Sequence, residues 1–341
     1  MCVANDCVIT GSRDLLDQND VFQCFSAEDG SLLWQHFYPA HGDLDYGNSP
    51  RSTPLVYDGL VFTLGAFGHL YCIELESGLP FWSRNIAVEF GSPEMTWGHS
   101  GSPVIADGKL IVQPGGKDAS LVALDPESGE VIWKSPGIAA GYSSFVAGRF
   151  GGVEQIIGYD AVSLGGWRAK DGKRLWSLIP PEKGDFNVPT VVPFGDDIFV
   201  STENNGTRRY RFDSDGKILS RPTAVNQDLM PDSHTPVVSG SRLYGIWNEF
   251  YGVDLTTLKT TFSSSDDAFG VYGSLIASEK RLLCLTANGE LLTISTDGEL
   301  PRILTRHSLT KPGVDVLAHP AVAGDGLYVR IGRELRKLSL R

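Results

Sequence analysis

Short runs of alternating apolar and polar residues, separated by glycine turns, extend along the whole chain. In residues 102–112 two apolar runs flank an Asp107-Gly108 pair, and in residues 121–133 two more flank Ser128-Gly129. Such pairs supply the positive φ that tight hairpin turns need, while β-branched and aromatic residues favour pleated strands. The pattern therefore predicts a four-stranded antiparallel meander.

The same unit recurs along the sequence, which indicates a repeat architecture. Its eight copies open near Val3, Thr53, Ser102, Tyr142, Val188, Thr235, Gly273 and His319. No remaining segment is large enough for a second domain. The chain is therefore predicted to be one all-β domain over residues 1–341, an eight-bladed β-propeller of four-stranded antiparallel blades.

A tryptophan follows the turn glycine by four residues in each of the first four copies. These residues are Trp34, Trp82, Trp133 and Trp176, and they lie between 43 and 51 residues apart, about the length of one blade. We expect them to wedge between neighbouring blades. The equivalent positions Ser220 and Arg302 lack the indole, so the later blades are expected to pack differently.

The repeat, clearest in residues 102–112 and 121–133, resembles the pyrroloquinoline-quinone-type (PQQ-like) repeat. It is similar to the repeats of quinoprotein alcohol dehydrogenases and of the outer-membrane assembly lipoprotein BamB. The likeness covers essentially the whole chain and is stronger in the first four copies. It implies a PQQ-like propeller but no single activity, because that family holds both dehydrogenases and assembly scaffolds.

The two ends of the sequence raise the question of how the last blade is completed. Its last copy ends on a third strand at residues 335–340, and residue 1 falls on the innermost strand of the first copy. Propellers commonly complete such a blade with a strand from the other terminus. We therefore expect sequence upstream of Met1 to carry the closing strand; a last blade of three strands is the alternative. With a leader there, the protein would be extracytoplasmic, either periplasmic or secreted; without one it would be cytoplasmic.

Composition narrows the classes of partner. The net charge is −12 with no offsetting lysine or arginine run, which argues against nucleic acid. No apolar stretch approaches the ~20 residues of a transmembrane helix. The protein is also expected to be a monomer. The five cysteines form no C-x-x-C motif and read as small buried strand residues, with a Cys7–Cys24 bridge left open.

One face of the propeller is predicted to carry the functional side chains. Strand alternation sends the links between blades and the links between second and third strands to the same side, and both are polar and aromatic. The turns of the opposite face are plain Asp-Gly or Ser-Gly pairs. Since loops on a rigid scaffold usually carry function, the candidate ligand-binding residues are Tyr46, Asn48, Arg51, His69, Trp97, His99, Lys117, Tyr142, Glu203, Asn204, Asn205, Arg208, His234, Trp247 and His319.

Several of these residues have two interpretations. Arg51 could bind an anionic group or tie down a neighbouring loop. Trp97 and His99 could form a stacking platform with a proton donor, or serve as a channel plug and a strand cap. Oxygen ligands at residues 203–205 would suit Ca²⁺, but Asn-Asn-Gly is also a common turn sequence.

The resemblance to quinoprotein dehydrogenases implies a PQQ and Ca²⁺ site built from a vicinal disulfide, a tryptophan beneath the quinone and Glu, Asn and Asp ligands. This sequence has no adjacent cysteines and no C-x-x-C-H haem motif. Trp97 or Trp247 and the oxygens of Glu203 and Asn204 could contribute, but no spacing ties them together. No cofactor, resident metal or catalytic residue is therefore expected.

The leading hypothesis is a non-catalytic propeller that binds a small molecule, a glycan or an extended peptide. A PQQ- and Ca²⁺-dependent oxidoreductase is the first alternative. The second is an envelope protein-assembly scaffold of the BamB type with a protein partner, for which the incomplete last blade is the hint.

Overall fold

The computed structural model describes residues 1–270, 272–311 and 313–340. Eight antiparallel sheets make up an eight-bladed β-propeller, which confirms the fold class predicted from the repeat. Helical structure within these ranges is confined to the α-helix α1, Ile86–Phe90, and a 3₁₀ turn, Asp267–Phe269. None of the described helices has the length and apolar character needed to cross a bilayer.

The described chain consists of two compact units, and the prediction of a single domain stays a prediction. The first unit comprises Met1–Ile179 and Asp215–Lys217 and holds blades 1 to 4. Each sheet is a meander in which strands pair in chain order. The strands are β1 Cys2–Ala4, β2 Cys7–Arg13, β3 Asn19–Ser26 and β4 Leu32–Pro39 in blade 1; β5 Leu55–Tyr57, β6 Leu60–Leu64, β7 His69–Glu74 and β8 Pro80–Asn85 in blade 2; β9 Val104–Ala106, β10 Lys109–Val112, β11 Leu121–Leu124 and β12 Val131–Ser135 in blade 3; and β13 Val146–Phe150, β14 Val153–Tyr159, β15 Leu164–Arg168 and β16 Arg174–Leu178 in blade 4.

The second unit comprises Pro180–Ser214 and the chain from Ile218 onward and holds blades 5 to 8. Its strands are β17 Val192–Phe194, β18 Asp197–Thr202, β19 Gly206–Tyr210 and β20 Ala224–Asn226 in blade 5; β21 Val237–Ser239, β22 Arg242–Trp247, β23 Glu249–Asp254 and β24 Thr260–Ser264 in blade 6; β25 Gly273–Ala277, β26 Arg281–Thr286, β27 Glu290–Ser295 and β28 Arg302–Ser308 in blade 7; and β29 Ala321–Ala323, β30 Gly326–Ile331 and β31 Glu334–Ser339 in blade 8.

The tryptophans wedge between blades as expected. The indole N–H of Trp34 in blade 1 donates to the carbonyl of Leu75 in blade 2 at 2.7 Å. Trp82 of blade 2 donates likewise to Pro126 of blade 3, at 3.0 Å. Each indole therefore stabilises the join to the next blade both by burial and by a hydrogen bond.

The third tryptophan repeats this arrangement and the fourth modifies it. Trp133 donates to the carbonyl of Ala169 in the following blade at 3.2 Å. Trp176 donates instead to the amide oxygen of Gln155 in its own blade at 2.9 Å, and Gln155 in turn donates to the carbonyl of Gly216 at 2.8 Å. In blade 4 the side-chain amide of Gln155 therefore lies between the indole and the carbonyl of Gly216, where the other three tryptophans bond to a carbonyl directly.

Hydroxyl side chains at the blade starts add a second link that the sequence did not reveal. The backbone N–H of Thr53 donates to Ser102 Oγ at 2.9 Å, and the N–H of Ser102 donates to Ser144 Oγ at 3.0 Å. Thr190 and Thr235 repeat the bond in the second unit at 2.9 Å. These hydroxyls therefore join consecutive blades.

All five cysteines are free thiols, so no Cys7–Cys24 bridge is formed. Cys7, Cys24, Cys72 and Cys284 are buried and Cys2 is half-buried, which confirms their interpretation as small apolar strand residues. Burial raises the pKa of the Cys72 thiol to about 12. Thiolate chemistry at neutral pH is therefore disfavoured there.

Candidate functional site

Loops of the two predicted kinds meet on one face of the first unit. The N–H of Asp45, in the link from blade 1 to blade 2, donates to the carbonyl of Thr96 in the next link at 3.2 Å. The N–H of His99 donates to the carbonyl of Ala66, between β6 and β7, at 2.8 Å. These two bonds hold two blade links and one loop between second and third strands together, as the prediction of a shared face requires.

Arg51 organises the link between blades 1 and 2. Its guanidinium donates to the carbonyls of Ser49, Asp45 and Gly47 at 3.0, 2.7 and 2.8 Å. Within the described residues it forms no ion pair with a carboxylate. Partial burial lowers the pKa of Arg51, and the guanidinium stays cationic because arginine is not deprotonated in proteins. The positive charge is therefore held in place by neutral groups.

Trp97 and Tyr142 form an aromatic pair close to Arg51. Their ring centroids are 4.7 Å apart at an interplanar angle of 53°. Tyr142 also interacts electrostatically with Arg51. The three residues come from three successive blade links, so the fold brings together a cation and two half-buried rings.

His99 follows Trp97 by two residues in the same blade link. Its side chain is only 6% exposed, and desolvation lowers the pKa of its imidazole to about 4 despite a backbone hydrogen bond to Gln113. The structure thus favours the interpretation of His99 as a packed, neutral residue over that of a surface proton donor.

The remaining predicted residues of the first unit differ in accessibility. Tyr46 is 87% exposed at a positive-φ position. Asn48 fixes its loop, accepting from the N–H of Leu44 at 3.0 Å and donating to Asp17 at 2.6 Å. Lys117 is exposed on the loop before β11.

His69 belongs to a ring cluster that the sequence analysis missed. Tyr38 and Tyr71 stack at 4.5 Å, His69 lies 5.1 Å from Tyr38, and His36 lies 4.6 Å from Tyr71. Burial lowers the pKa of both imidazoles. The alternation of rings in 36–38 and 69–71 is a sequence signal that could have paired these strands.

In the second unit, residues 203–205 pack against the segment before blade 5. Glu203 accepts from the N–H of Phe186, and burial, as the largest cause, raises the pKa of its carboxyl. Asn204 donates its N–H to Asp185 at 2.9 Å. Buried Asn205 uses both ends of its amide, accepting from the N–H of Glu182 at 2.9 Å and donating to Asp185 at 2.7 Å.

Arg208 and Trp247 are largely enclosed. Arg208 is 4% exposed and donates to Thr202 Oγ1 at 2.8 Å, while its Nε has no hydrogen-bond acceptor among the described residues. Trp247 is half-buried and packs against the apolar cluster that contains Phe199 and Leu243. Both side chains are therefore part of blade packing.

His234 and His319 line a small cavity of about 160 Å³ with Ser233 and Ser274. His234 is buried and accepts the N–H of Ile246 at its Nε2 at 2.7 Å. Desolvation, with a smaller contribution from the positive charge of His319, lowers the pKa of His234 to about 3. The exposed His319 is the accessible member of the pair.

Several of the residues that the resemblance would offer to a quinone and Ca²⁺ have other partners. Trp247 is engaged in an apolar cluster, and the oxygen of Asn205 already accepts a backbone N–H. One oxygen of Glu203 accepts the N–H of Phe186, whereas its Oε2 is buried without a hydrogen-bond partner among the described residues. Across the described ranges no group of three or more His, Cys, Asp or Glu side chains is placed to hold a metal ion.

A family model and one curated protein match the sequence. The model described as "Outer membrane protein assembly factor BamB" matches residues 17–264. Lupanine 17-hydroxylase [cytochrome c] from Pseudomonas sp. is 26% identical over 206 residues, or 56% of this chain. That match spans only 28% of the relative's own length.

Solved structures share the fold at low sequence identity. BamB from Moraxella catarrhalis superposes with a TM-score of 0.68 at 14% identity, over 98% of this chain and 91% of that one. The quinohemoprotein alcohol dehydrogenase ADHIIG from Pseudomonas putida HK5 gives 0.65 at 13% identity, over 96% and 69%. At such identities the likeness shows the propeller fold and no shared activity.

Proposed function

This chain belongs to the PQQ-like propeller family whose model is described as outer membrane protein assembly factor BamB, and on that premise we propose that it is a non-catalytic propeller that binds a ligand through the loops of one face. The ligand is a small molecule, a glycan or an extended peptide that carries an anionic group. The proposed site consists of Arg51, Trp97 and Tyr142, with the exposed Tyr46 on the loop that Arg51 holds. We include the exposed Lys117 as a further candidate contact.

The observation that carries the proposal is the state of Arg51. Its guanidinium is fixed by three carbonyls, and no carboxylate in the part of the chain that the structure describes neutralises it. A preorganised cation beside two aromatic rings suits a ligand with an anionic group and a flat or apolar body. In a protein with a net charge of −12, acidic side chains outnumber basic ones, so an arginine with no carboxylate partner among the described residues favours a role in binding an anion.

Titration calorimetry with citrate and D-glucuronate as anionic probes, and D-glucose as the neutral one, tests the proposal. An anionic probe should bind saturably and glucose should not. Arg51→Ala should weaken binding ten- to a hundredfold, since a hydrogen bond to a charged group contributes about 1.5–3 kcal/mol. The affinity of Arg51→Lys should lie between those of the wild type and Arg51→Ala, because lysine keeps the positive charge but lacks the several N–H donors of the guanidinium.

Arg149→Ala is the matched control, since Arg149 is exposed on β13 in the same unit. It should leave binding unchanged. Equal affinity in the wild type and in Arg51→Ala would contradict the assignment of the site.

A scaffold for protein assembly is the second candidate function. It is supported by the matching family model, which is described as an outer membrane protein assembly factor. Under either function we propose an extracytoplasmic location, in keeping with the description of that family as an outer membrane assembly factor.

A further inference from the structure

A groove of about 610 Å³ lies between blades 2 and 3 of the first unit. It is lined by the turn between β5 and β6, by one residue of β8, and by the turns at Gly108 and at residues 125–127. In their antiparallel sheets these turns lie at the opposite ends of the strands from the loops that carry Arg51 and Trp97. The groove is therefore a second surface, separate from the site proposed above.

Two exposed aromatic rings line this groove. Tyr57, at the end of β5, is 38% exposed, and Phe81, on β8, is 61% exposed. Phe81 is the extra residue of a bulge, since the register of β7 and β8 shifts between Cys72 and Ile73. Bulges change the direction of a side chain, and here the bulge accompanies the placement of a large apolar ring in an open groove.

The neighbouring blades carry no ring at the equivalent positions. In blade 3, Ala106 takes the position of Tyr57, and Ile132 takes that of Phe81 in the same kind of bulge. Blade 1 has Leu33 at the latter position. Packing of the repeat therefore does not require aromatic side chains here, which favours a role for them in binding.

All charged side chains that line the groove are acidic. They are Asp58 on blade 2 and Asp125 and Glu127 on blade 3. The Oδ1 atom of Asp125 accepts from the N–H groups of Glu127 and Ser128 at 3.1 and 2.8 Å, so the turn that carries Glu127 is held in place. The bonds from Ser128 are the largest cause that lowers the pKa of Asp125, which is therefore ionised at neutral pH.

These carboxylates have no cationic partner within the part of the chain that the structure describes. Asp58 and Glu127 form neither an ion pair nor a side-chain hydrogen bond there. Lys109, which follows the lining residue Gly108, is paired with Asp107 at 2.6 Å. The described acids do not converge on a single metal ion. The groove therefore suits a larger occupant with more than one positive charge.

We propose that this groove binds an extended segment of a protein partner that carries two arginines. A guanidinium is planar, so it stacks on the ring of Tyr57 or Phe81 while its N–H groups donate to a carboxylate. Two are needed because Asp58 lies on one blade and Asp125 and Glu127 lie on the next. Residues two apart in an extended chain point to the same side, so the spacing Arg-x-Arg directs both guanidiniums into the groove.

Titration calorimetry with the capped pentapeptide Ala-Arg-Ala-Arg-Ala tests the proposal. The peptide should bind saturably. Ala-Lys-Ala-Lys-Ala should bind at least threefold more weakly, because an ammonium group lacks the planar fork that stacks on a ring and pairs with a carboxylate. The proposal does not rest on the anionic ligand of the loop face, so either can fail alone.

The double variant Phe81→Ala/Glu127→Gln removes one ring and one carboxylate from the groove. It should weaken the arginine peptide at least tenfold, because a stacking contact and a charge-assisted hydrogen bond are both lost.

The matched control is Leu33→Ala/Glu28→Gln, at the equivalent positions of blade 1, which are not among the residues that line the groove. It changes the net charge of the protein by the same amount and should alter the affinity less than twofold. Thermal melts of both double variants establish that each is folded.

Four results would overturn the proposal. The first is no saturable binding of the arginine peptide, and the second is equal binding of the lysine peptide. The third is an equal loss of affinity in the two double variants, which would mean that the overall negative charge of the protein attracts the peptide. The fourth is equally tight binding of free L-arginine, which would make a small cation the occupant.

Discussion

The sequence left two roles open for Arg51: binding an anionic group or tying down a neighbouring loop. Its side chain ties down the loop of residues 45–49 through backbone carbonyls. The sequence indicates that an arginine lies on this face, but it cannot distinguish carbonyl acceptors from carboxylates. Because every residue carries a carbonyl, such partners leave no pattern in the sequence.

The predicted site residues also differ in burial, which the sequence does not reveal. His99, Asn205, Arg208 and His234 are each at most 6% exposed. Their sequence positions in polar links suggested accessible side chains, whereas the loops fold over them. The depth of a side chain within a link depends on the neighbouring blade and so is not encoded locally.

The buried His234 predicts that stability depends on pH. The unfolded chain binds a proton near pH 6.5, whereas the folded imidazole stays neutral to about pH 3. Protons therefore favour the unfolded state below pH 6.5. The free energy of unfolding should fall by about 2 kcal/mol from this residue between pH 6.5 and 5.

Urea denaturation at the two pH values measures this effect. His234→Gln keeps an acceptor for the N–H of Ile246 without titrating in this range, so its stability should vary less with pH. His41→Gln, at an exposed position, should behave as the wild type. An unchanged pH dependence in His234→Gln would show that other groups account for the loss.

The blade is the element that the sequence predicts best. The Asp-Gly turns predict the strand order of a blade, and the spacing of the tryptophans predicts that Trp34 and Trp82 contact the following blade. Strand starts were less accurate, since β13 begins at Val146 and β17 at Val192, four residues after the expected positions. Extended links and strands share the same residue types, and hydrogen-bonded pairing decides where one becomes the other.

The contact between a tryptophan and the turn of the next blade leads to a prediction about glycine. A Cβ at Gly78 would lie 2.5 Å from the Cγ of Trp34, whereas a Cβ at Gly30 would meet nothing within 4 Å. Both have a similar positive φ, +73° and +77°. Gly78→Ala should therefore lower the free energy of unfolding by about 1–3 kcal/mol more than Gly30→Ala.

Equilibrium denaturation of the two variants provides the comparison. The backbone cost is common to both substitutions, so the difference reports the packing of the indole against the turn. Equal destabilisation by the two substitutions would mean that the indole of Trp34 can shift to accommodate a Cβ at Gly78 without a loss of stability.

At the scale of the whole molecule, the eight sequence repeats predict an eight-bladed propeller, and the matching family model agrees with that fold. Function is less accessible, because the fold is shared with proteins named as an assembly factor and as quinohemoprotein dehydrogenases. What separates these functions is the chemistry of individual side chains. Among the described residues, the amide oxygen of Asn205 and one oxygen of Glu203 accept backbone N–H groups, and Arg51 donates to backbone carbonyls and pairs with no carboxylate.

Calorimetric melting with three additions tests the central claim, that the loop face binds an anionic ligand and does not hold a quinone. The additions are D-glucuronate, citrate, and PQQ together with Ca²⁺. A ligand at 100 times its dissociation constant raises the free energy of unfolding by about 2.7 kcal/mol. We expect stabilisation by an anionic probe that is lost in Arg51→Ala, and none from PQQ that depends on Ca²⁺. Saturable, Ca²⁺-dependent stabilisation by PQQ would contradict the account.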